Sequence, residues 1–223
     1  ANDGVVNYPA SAYDVNGTWD QSRNTDWQKE LIGGTSQYTN VQASLAGGSQ
    51  QTQFMLSGNY HRETTVFPGS FDYVKAGSHL SLNHESLDKR FRLAFSVLYS
   101  AQFSTLPSSD LSQTAAKLAP NAPPLYDSLG NLNWENNTFD NPIAFFEGKT
   151  KGDTYDLIVN AMLSYELGAG FSLSSSFGYT SLNQLQLNLQ PSTIFNPSYG
   201  LGSELSSVFT NNMNRNSWIA EPQ

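Results

Sequence analysis

The chain has 223 residues, of which 13% are charged and 13% are aromatic, and it carries a net charge of −8 without any cysteine. Soluble domains average about 25% charged residues, so this chain is unusually poor in charge. Its length is sufficient for one large β domain or two small domains. The acidic balance excludes a surface built to bind nucleic-acid phosphates. The absence of cysteine excludes disulfides and thiolate metal sites.

The first predicted element is a short helix that begins near residue 27. Thr25 is followed three residues later by Gln28, which is a capping-box signature, and Gly33 stands where such a helix would end. Residues 1–34 are therefore predicted to form a loop that carries one short helix.

Residues 35–103 are predicted to form four long strands, because apolar residues recur at every second position and the residues between them are mostly polar. The predicted strands cover residues 36–47, 51–62, 72–84 and 90–103. The clearest apolar row belongs to the fourth strand and consists of Phe91, Leu93, Phe95, Val97 and Tyr99. The connections between these strands alternate between a short turn and a longer link.

Residues 104–152 form a long connection in which Ser109 and Asp110 are predicted to cap a second short helix that stops before Pro120. Its aromatic residues are candidates for contact with a substrate or partner, because flat rings stack on sugars and anchor protein interfaces. These candidates are Tyr126, Trp134, Phe139 and Phe145. The alternative is that they form a small hydrophobic cluster within the loop itself.

Residues 153–187 are predicted to form two further strands, at 153–167 and 171–186, joined by a glycine-rich turn. Their apolar rows contain Tyr155, Leu157, Val159, Leu163 and Tyr165, and then Phe171, Phe177 and Tyr179. Residues 188–216 follow as another long loop, and residues 217–223 look like the start of a further strand. We therefore expect the sequence to be part of a longer polypeptide.

The length of the apolar rows favours a membrane. Soluble strands usually have about 5–6 residues, whereas strands that cross a bilayer at a tilt need about 9–11. The long connections fall at every second junction and would emerge on one side, as in a transmembrane barrel. No stretch approaches the roughly 18 apolar residues of a transmembrane helix. Periodicity alone leaves open whether the apolar face contacts lipid or a protein core.

Four short motifs follow one another along nearly the whole chain. They are NTDWQKE at residues 24–30, LAPNAPPLYDSLGN at 118–131, LSYEL at 163–167 and NSWIAEPQ at 216–223. In their order and spacing they resemble the SusC/RagA-type TonB-dependent receptors of the Gram-negative outer membrane. Residues 61–65 depart from this resemblance, which would place a more glycine-rich loop there.

The resemblance implies an all-β fold: an antiparallel up-and-down meander of about six long strands, with long loops that carry short helices. The meander would be a segment of a transmembrane barrel of about 22 strands. Loops 1–34, 104–152 and 188–216 would then be extracellular, and the apolar rows would face the outer-membrane lipid. The complete receptor would take up a glycan or peptide nutrient with a SusD-like surface lipoprotein and with TonB. Neither a plug nor a TonB box is recognisable in this sequence.

The residues indicate no catalytic site, metal site or cofactor, so an enzyme is not expected. The histidines His61, His79 and His84 are the candidates for metal or base chemistry near neutral pH. None has a ligand-spaced partner, and we expect solvated residues of the lumen. The alternative function is a soluble secreted β-sandwich that binds carbohydrate and uses the apolar rows as its core.

About six strands cannot close a wide barrel, so the isolated fragment would leave two sheet edges and one apolar face open. We expect it to self-associate, to close into a smaller barrel, or to fold its long loops across this face.

Overall fold

The computed structural model describes residues 8–223, so residues 1–7 of the predicted first loop lie outside the described residues. A single sheet holds seven antiparallel strands in chain order. The strands are β1 (Tyr38–Gly48), β2 (Thr52–Thr64), β3 (Asp72–Glu85), β4 (Phe91–Pro107), β5 (Lys149–Gly168), β6 (Phe171–Gln190) and β7 (Ser207–Pro222). The predicted up-and-down meander is confirmed, with seven strands rather than about six.

The register brings the alternating apolar rows onto the same face of the sheet. Val97 of β4 lies between Leu80 of β3 and Val159 of β5, and Val159 in turn faces Tyr179 of β6. Directly paired residues in antiparallel strands share a face. We call this the apolar face, and we call the opposite side, which carries residues such as Ser96, the polar face.

The strands are longer at their loop ends than alternation predicts. β4 continues to Pro107, and β5 begins at Lys149 and not at residue 153. β7 begins at Ser207 and not at residue 217, so the predicted loop 188–216 shrinks to the segment between β6 and β7. Backbone pairing with the neighbouring strand extends these elements where their side chains no longer alternate.

The two predicted short helices are present as α1 (Trp27–Ile32) and α2 (Ser112–Lys117). α1 is capped by Asp26, whose carboxylate accepts a hydrogen bond from the Lys29 backbone N–H at 3.1 Å, so Thr25 as the cap was wrong by one residue. α1 ends at Gly33 as predicted. No helix within residues 8–223 is long and apolar enough to cross a membrane.

The hydrophobic core lies outside the sheet, in the loops at one end of the strands. Within residues 8–223 the core cluster contains Trp19, Trp27, Leu31, Phe71, Leu111, Ala115, Ala122, Phe139, Ile143 and Phe146, none of which belongs to a strand. The loops that supply these residues form what we call the loop cap.

The sheet stays open, because β1 and β7 each pair with one described neighbour. The chain therefore does not close into a smaller barrel, and its loops do not fold across the apolar face, where Tyr99 and Phe177 are exposed. Both of these expectations were wrong. The loops pack against one another in their own core and do not cover the sheet. Self-association of the isolated fragment stays a prediction.

Candidate functional site

The apolar face is the first candidate surface. The register places every predicted lipid-facing residue on it: Phe91, Leu93, Phe95, Val97 and Tyr99 of β4; Tyr155, Leu157, Val159, Leu163 and Tyr165 of β5; and Phe171, Phe177 and Tyr179 of β6. The tyrosines and the β6 residues are exposed, and the remaining side chains are half-buried against their own neighbours. No second layer of described residues covers this face.

The two faces of the sheet differ sharply in where their charged side chains lie. On the apolar face, the strands carry Asp, Glu, Lys and Arg only at the loop-cap end, at Arg62, Asp72, Lys149, Lys151 and Asp153. The polar face carries charge along its whole height. An apolar face without charge over the length of its aromatic rows is what a bilayer core requires.

The polar face carries exposed ion pairs and side-chain hydrogen bonds. Near the short turns, the Arg92 guanidinium lies 3.0 Å from the Glu85 carboxylate and 3.9 Å from that of Glu166. Near the loop cap, the Tyr73 hydroxyl donates to the Gln102 side chain at 2.8 Å. Such pairs in contact with water add little stability but keep the surface hydrophilic.

The histidines lie on different faces. His61 is on the polar face, where its ring contacts the rings of Tyr38 and Tyr73, and His79 pairs with Ser57 on the same face. His84 is on the apolar face, where its Nδ1 lies 2.8 Å from the Thr52 hydroxyl, so its placement in the lumen was wrong. Within residues 8–223 no group of three or more His, Asp or Glu could hold a metal ion.

The loop cap is the second candidate surface, and indole and amide hydrogen bonds fix its shape. The Trp27 indole N–H donates to the Ala119 carbonyl at 2.7 Å, and the Trp19 indole N–H donates to the Thr138 hydroxyl at 3.0 Å. The buried Asn141 amide donates to the carbonyls of Leu125 and Asn133. These bonds satisfy polar groups that would be costly to bury unpaired.

The four predicted loop aromatics differ in their exposure to solvent. Tyr126 and Phe145 are 54% and 42% exposed, so their rings are available to a partner. Trp134 is half-buried. Phe139 is 3% exposed and packs edge-on against Trp19, so its ring belongs to the core of the loop cap and not to its surface.

A turn next to Tyr126 holds that residue in place. The Asp127 carboxylate accepts hydrogen bonds from the backbone N–H groups of Leu129 and Asn131 at 2.9 and 2.8 Å. The bond from Asn131 is the main cause that lowers the pKa of Asp127. The carboxylate therefore stays ionised and the turn stays closed below the ordinary pKa of an aspartate.

The loop at residues 135–140 contacts the loop between β6 and β7, and we call this contact, which the sequence pattern did not predict, the latch. Glu135, Asn136 and Asn137 have φ angles of 41°, 52° and 69°, a left-handed conformation that costs energy in residues other than glycine. The Asn196 amide donates to the Asn137 side-chain oxygen at 3.0 Å and holds this turn against the loop between β6 and β7.

Tyr199 completes the latch. Its hydroxyl donates to the Asp140 carboxylate at 3.0 Å, and this hydrogen bond raises the pKa of Tyr199. Asparagine and tyrosine are ordinary in loops, so only the short run of consecutive polar residues at 135–137 could have drawn attention to this contact.

Comparisons with other proteins agree with the predicted resemblance. No protein-family model matches the chain. The chain is 28% identical over 206 residues to TonB-dependent receptor P3 of Formosa agariphila, a match that covers 86% of this chain and 20% of that protein. Its fold is similar to a chain in the structure of the RagAB peptide importer in the closed-closed state, with a TM-score of 0.60, 15% identity and coverage of 84% of this chain and 24% of that chain.

Proposed function

We propose that this chain is part of the wall of an outer-membrane uptake receptor, because it is similar in sequence and in fold to a segment of a TonB-dependent receptor, as its motifs predicted. The chain spans about a fifth of the length of the curated relative. Its apolar face contacts acyl chains, and its polar face lines an aqueous lumen. It is not an enzyme but a binding and transport element.

The observation that carries the proposal is the uncovered, charge-free stretch of the apolar face on a single sheet. Leaving a large apolar side chain in water forfeits roughly 1.5–3 kcal/mol compared with burying it. Six strands contribute such residues in register, so water is a poor solvent for this face. A β-sandwich would cover these residues with a second sheet, which residues 8–223 do not contain.

The stagger of the short turns supports a tilted barrel wall. Gln53 lies beside the short turn between β1 and β2, and the pairing of the strands aligns it across β3 and β4 with Met162 of β5. β5 continues beyond Met162 to Gly168 before the short turn to β6 begins, so the two turns lie at different heights along the strands. Turns that step along the strands in this way require strands tilted against the barrel axis, because stagger and tilt are linked in closed barrels.

The polar face supports a wide barrel. Small barrels fill their interior with side chains, whereas wide ones enclose water or a plug. Ionic groups such as Arg92 and Glu166 on the inner side suit a wide, wet lumen. The unpaired edges of β1 and β7 would then pair with further strands of the complete receptor, because exposed edges invite pairing.

The loop cap would stand on the extracellular side, over the mouth of the lumen. Its exposed rings, Tyr126 and Phe145, are suited to contact a surface lipoprotein or the nutrient itself. As the resemblance implies, this partner would be a SusD-like lipoprotein, and the similar fold of a chain of the RagAB importer supports that choice. The similarity to a TonB-dependent receptor supports TonB as the energy source of the complete receptor. The nutrient would be a glycan or a peptide.

A pair of adjacent cysteine variants tests the proposal, since this chain has no cysteine of its own. Val159→Cys lies on the apolar face and Asn160→Cys on the polar face of the same strand. In outer membranes that contain the complete receptor, we expect a water-soluble thiol reagent to modify the Asn160→Cys variant and to spare the Val159→Cys variant. Equal modification of both variants would refute a lipid-facing sheet.

A further inference from the structure

The apolar face carries two lysines that have no ion pair within residues 8–223. Lys149 and Lys151 are exposed and project from β5 on the same side as Val159. By contrast, Arg62 is bound to Asp72 at 3.0 Å on the same face. They are cations in a chain whose net charge is −8.

The two lysines lie beyond the loop-cap end of the aromatic rows of β4 and β5. Phe103 of β4 and Tyr155 of β5 contact each other edge-on, with ring centroids 5.8 Å apart, and they end the apolar rows of these two strands at the loop-cap side. From Tyr155 to Lys151 the strand rises by roughly 13 Å, which a tilt of about 45° reduces to about 9 Å of height.

At the backbone, both lysines stand above the headgroup layer of a bilayer. The headgroups occupy about 5–7 Å on each side of the hydrocarbon core, whereas Lys151 is about 9 Å and Lys149 about 14 Å above Tyr155. A lysine can bend its ammonium group back towards the headgroups while its stem covers apolar surface. Lys149 and Lys151 are about 7 Å apart along the strand, so both side chains can bend towards neighbouring headgroups at the outer edge of this layer.

We propose that Lys149 and Lys151 bind phosphate-bearing lipid headgroups of the leaflet on the loop-cap side. This inference rests on the proposed function, because it requires the apolar face to contact lipid. Charge complementarity selects the ligand: two ammonium groups that point outward over an apolar wall attract anionic headgroups. Asp153, the next outward residue on β5, weakens but does not cancel this attraction, because it is one carboxylate beside two ammonium groups.

The test measures the lipid preference of the complete receptor. The receptor is labelled with a fluorophore at a Val159→Cys variant and reconstituted in phosphatidylcholine vesicles that contain fluorescent phosphatidic acid or fluorescent phosphatidylcholine. Energy transfer reports which lipid surrounds β5. The double variant K149Q/K151Q is compared with Lys117→Gln, a matched control that removes an exposed lysine from α2.

We expect phosphatidic acid to be enriched next to β5, and we expect salt to weaken this preference. Each removed lysine should lower the preference roughly fivefold, while Lys117→Gln should leave it unchanged. The inference is overturned if K149Q/K151Q keeps the original preference or if Lys117→Gln loses as much. It is also overturned if inorganic phosphate at the same concentration displaces the lipid, because the ligand would then be free phosphate.

The same experiment separates the two proposals. If the label on β5 transfers energy to phosphatidylcholine but shows no preference for phosphatidic acid, the lysine inference fails and the barrel-wall proposal stands. If the label transfers energy to neither lipid, the apolar face does not contact the bilayer and both proposals fail.

Discussion

The sheet and the loop cap of this chain solve the problem of apolar surface in opposite ways. The sheet places its apolar side chains on one regular face and covers them with nothing from residues 8–223. The loop cap, with few regular elements, buries Leu31 and Ala122 completely and pairs its indole and amide groups. The difference supports the proposed barrel wall, in which the loop cap meets water and the apolar face of the sheet meets lipid.

The largest expected effect separates the stability of the two regions. Leu31→Ala should destabilise the loop cap by roughly 2–5 kcal/mol, because Leu31 is 0% exposed and its removal leaves a cavity. Hydrogen exchange should rise in the loop cap and stay unchanged in β4 and β5. Gln28→Ala, an exposed change in the same helix, is the control. Equal loosening of the strands would show that the two regions fold as one unit.

An arginine in the middle of β5 tests whether the two faces of the sheet meet different solvents. Val159→Arg should destabilise the membrane-inserted receptor by about 2–4 kcal/mol, because it places a cation among acyl chains. Asn160→Arg, one residue away on the polar face, should have little effect. Urea unfolding in lipid vesicles measures both variants. A cost for Asn160→Arg equal to that for Val159→Arg would contradict the assignment of the two faces.

The smallest expected effect concerns the latch, which depends on pH. The hydrogen bond to Asp140 raises the pKa of Tyr199, so its contribution is present below the ordinary pKa of tyrosine and is lost as the pH rises through the raised value. Proteolysis of the loop between β6 and β7 should therefore accelerate in alkaline solution. Tyr199→Phe should show fast proteolysis already at neutral pH, and Tyr126→Phe should behave as the unmodified protein. An unchanged proteolysis rate in Tyr199→Phe would show that the hydrogen bond of Tyr199 does not hold the two loops together.

The alternation of apolar and polar residues predicted the strands that place apolar residues on the apolar face. It did not predict most of β7, which places mainly polar residues there. β4, β5 and β6 were recognisable because long rows of aromatic and aliphatic residues repeat every second position. The outward positions of β7 include Thr210, Asn212, Asn214 and Asn216, so that strand has no apolar row and is held by backbone pairing with β6. Edge pairing of this kind has no signature in side-chain pattern.

The loop cap was less predictable for a related reason. Phe139 and Phe145 are the same residue type in the same loop, yet one ring is buried and the other exposed, because burial depends on which distant segment arrives beside it. The latch likewise joins residues that are far apart in the chain. Helix α1 was found from local signals, and its cap was misplaced by one residue because Thr25 and Asp26 are both good capping residues.

The most direct test of the central claim extends the cysteine pair to every position of β5 from Tyr155 to Tyr165. Each single-cysteine variant of the complete receptor carries a spin label in a lipid bilayer, and its accessibility to oxygen is compared with that to a water-soluble nickel complex. We predict that oxygen accessibility peaks at the odd-numbered positions and nickel accessibility at the even-numbered ones. A profile without this two-residue period, or with nickel favouring the odd-numbered positions, would contradict a sheet that separates lipid from water.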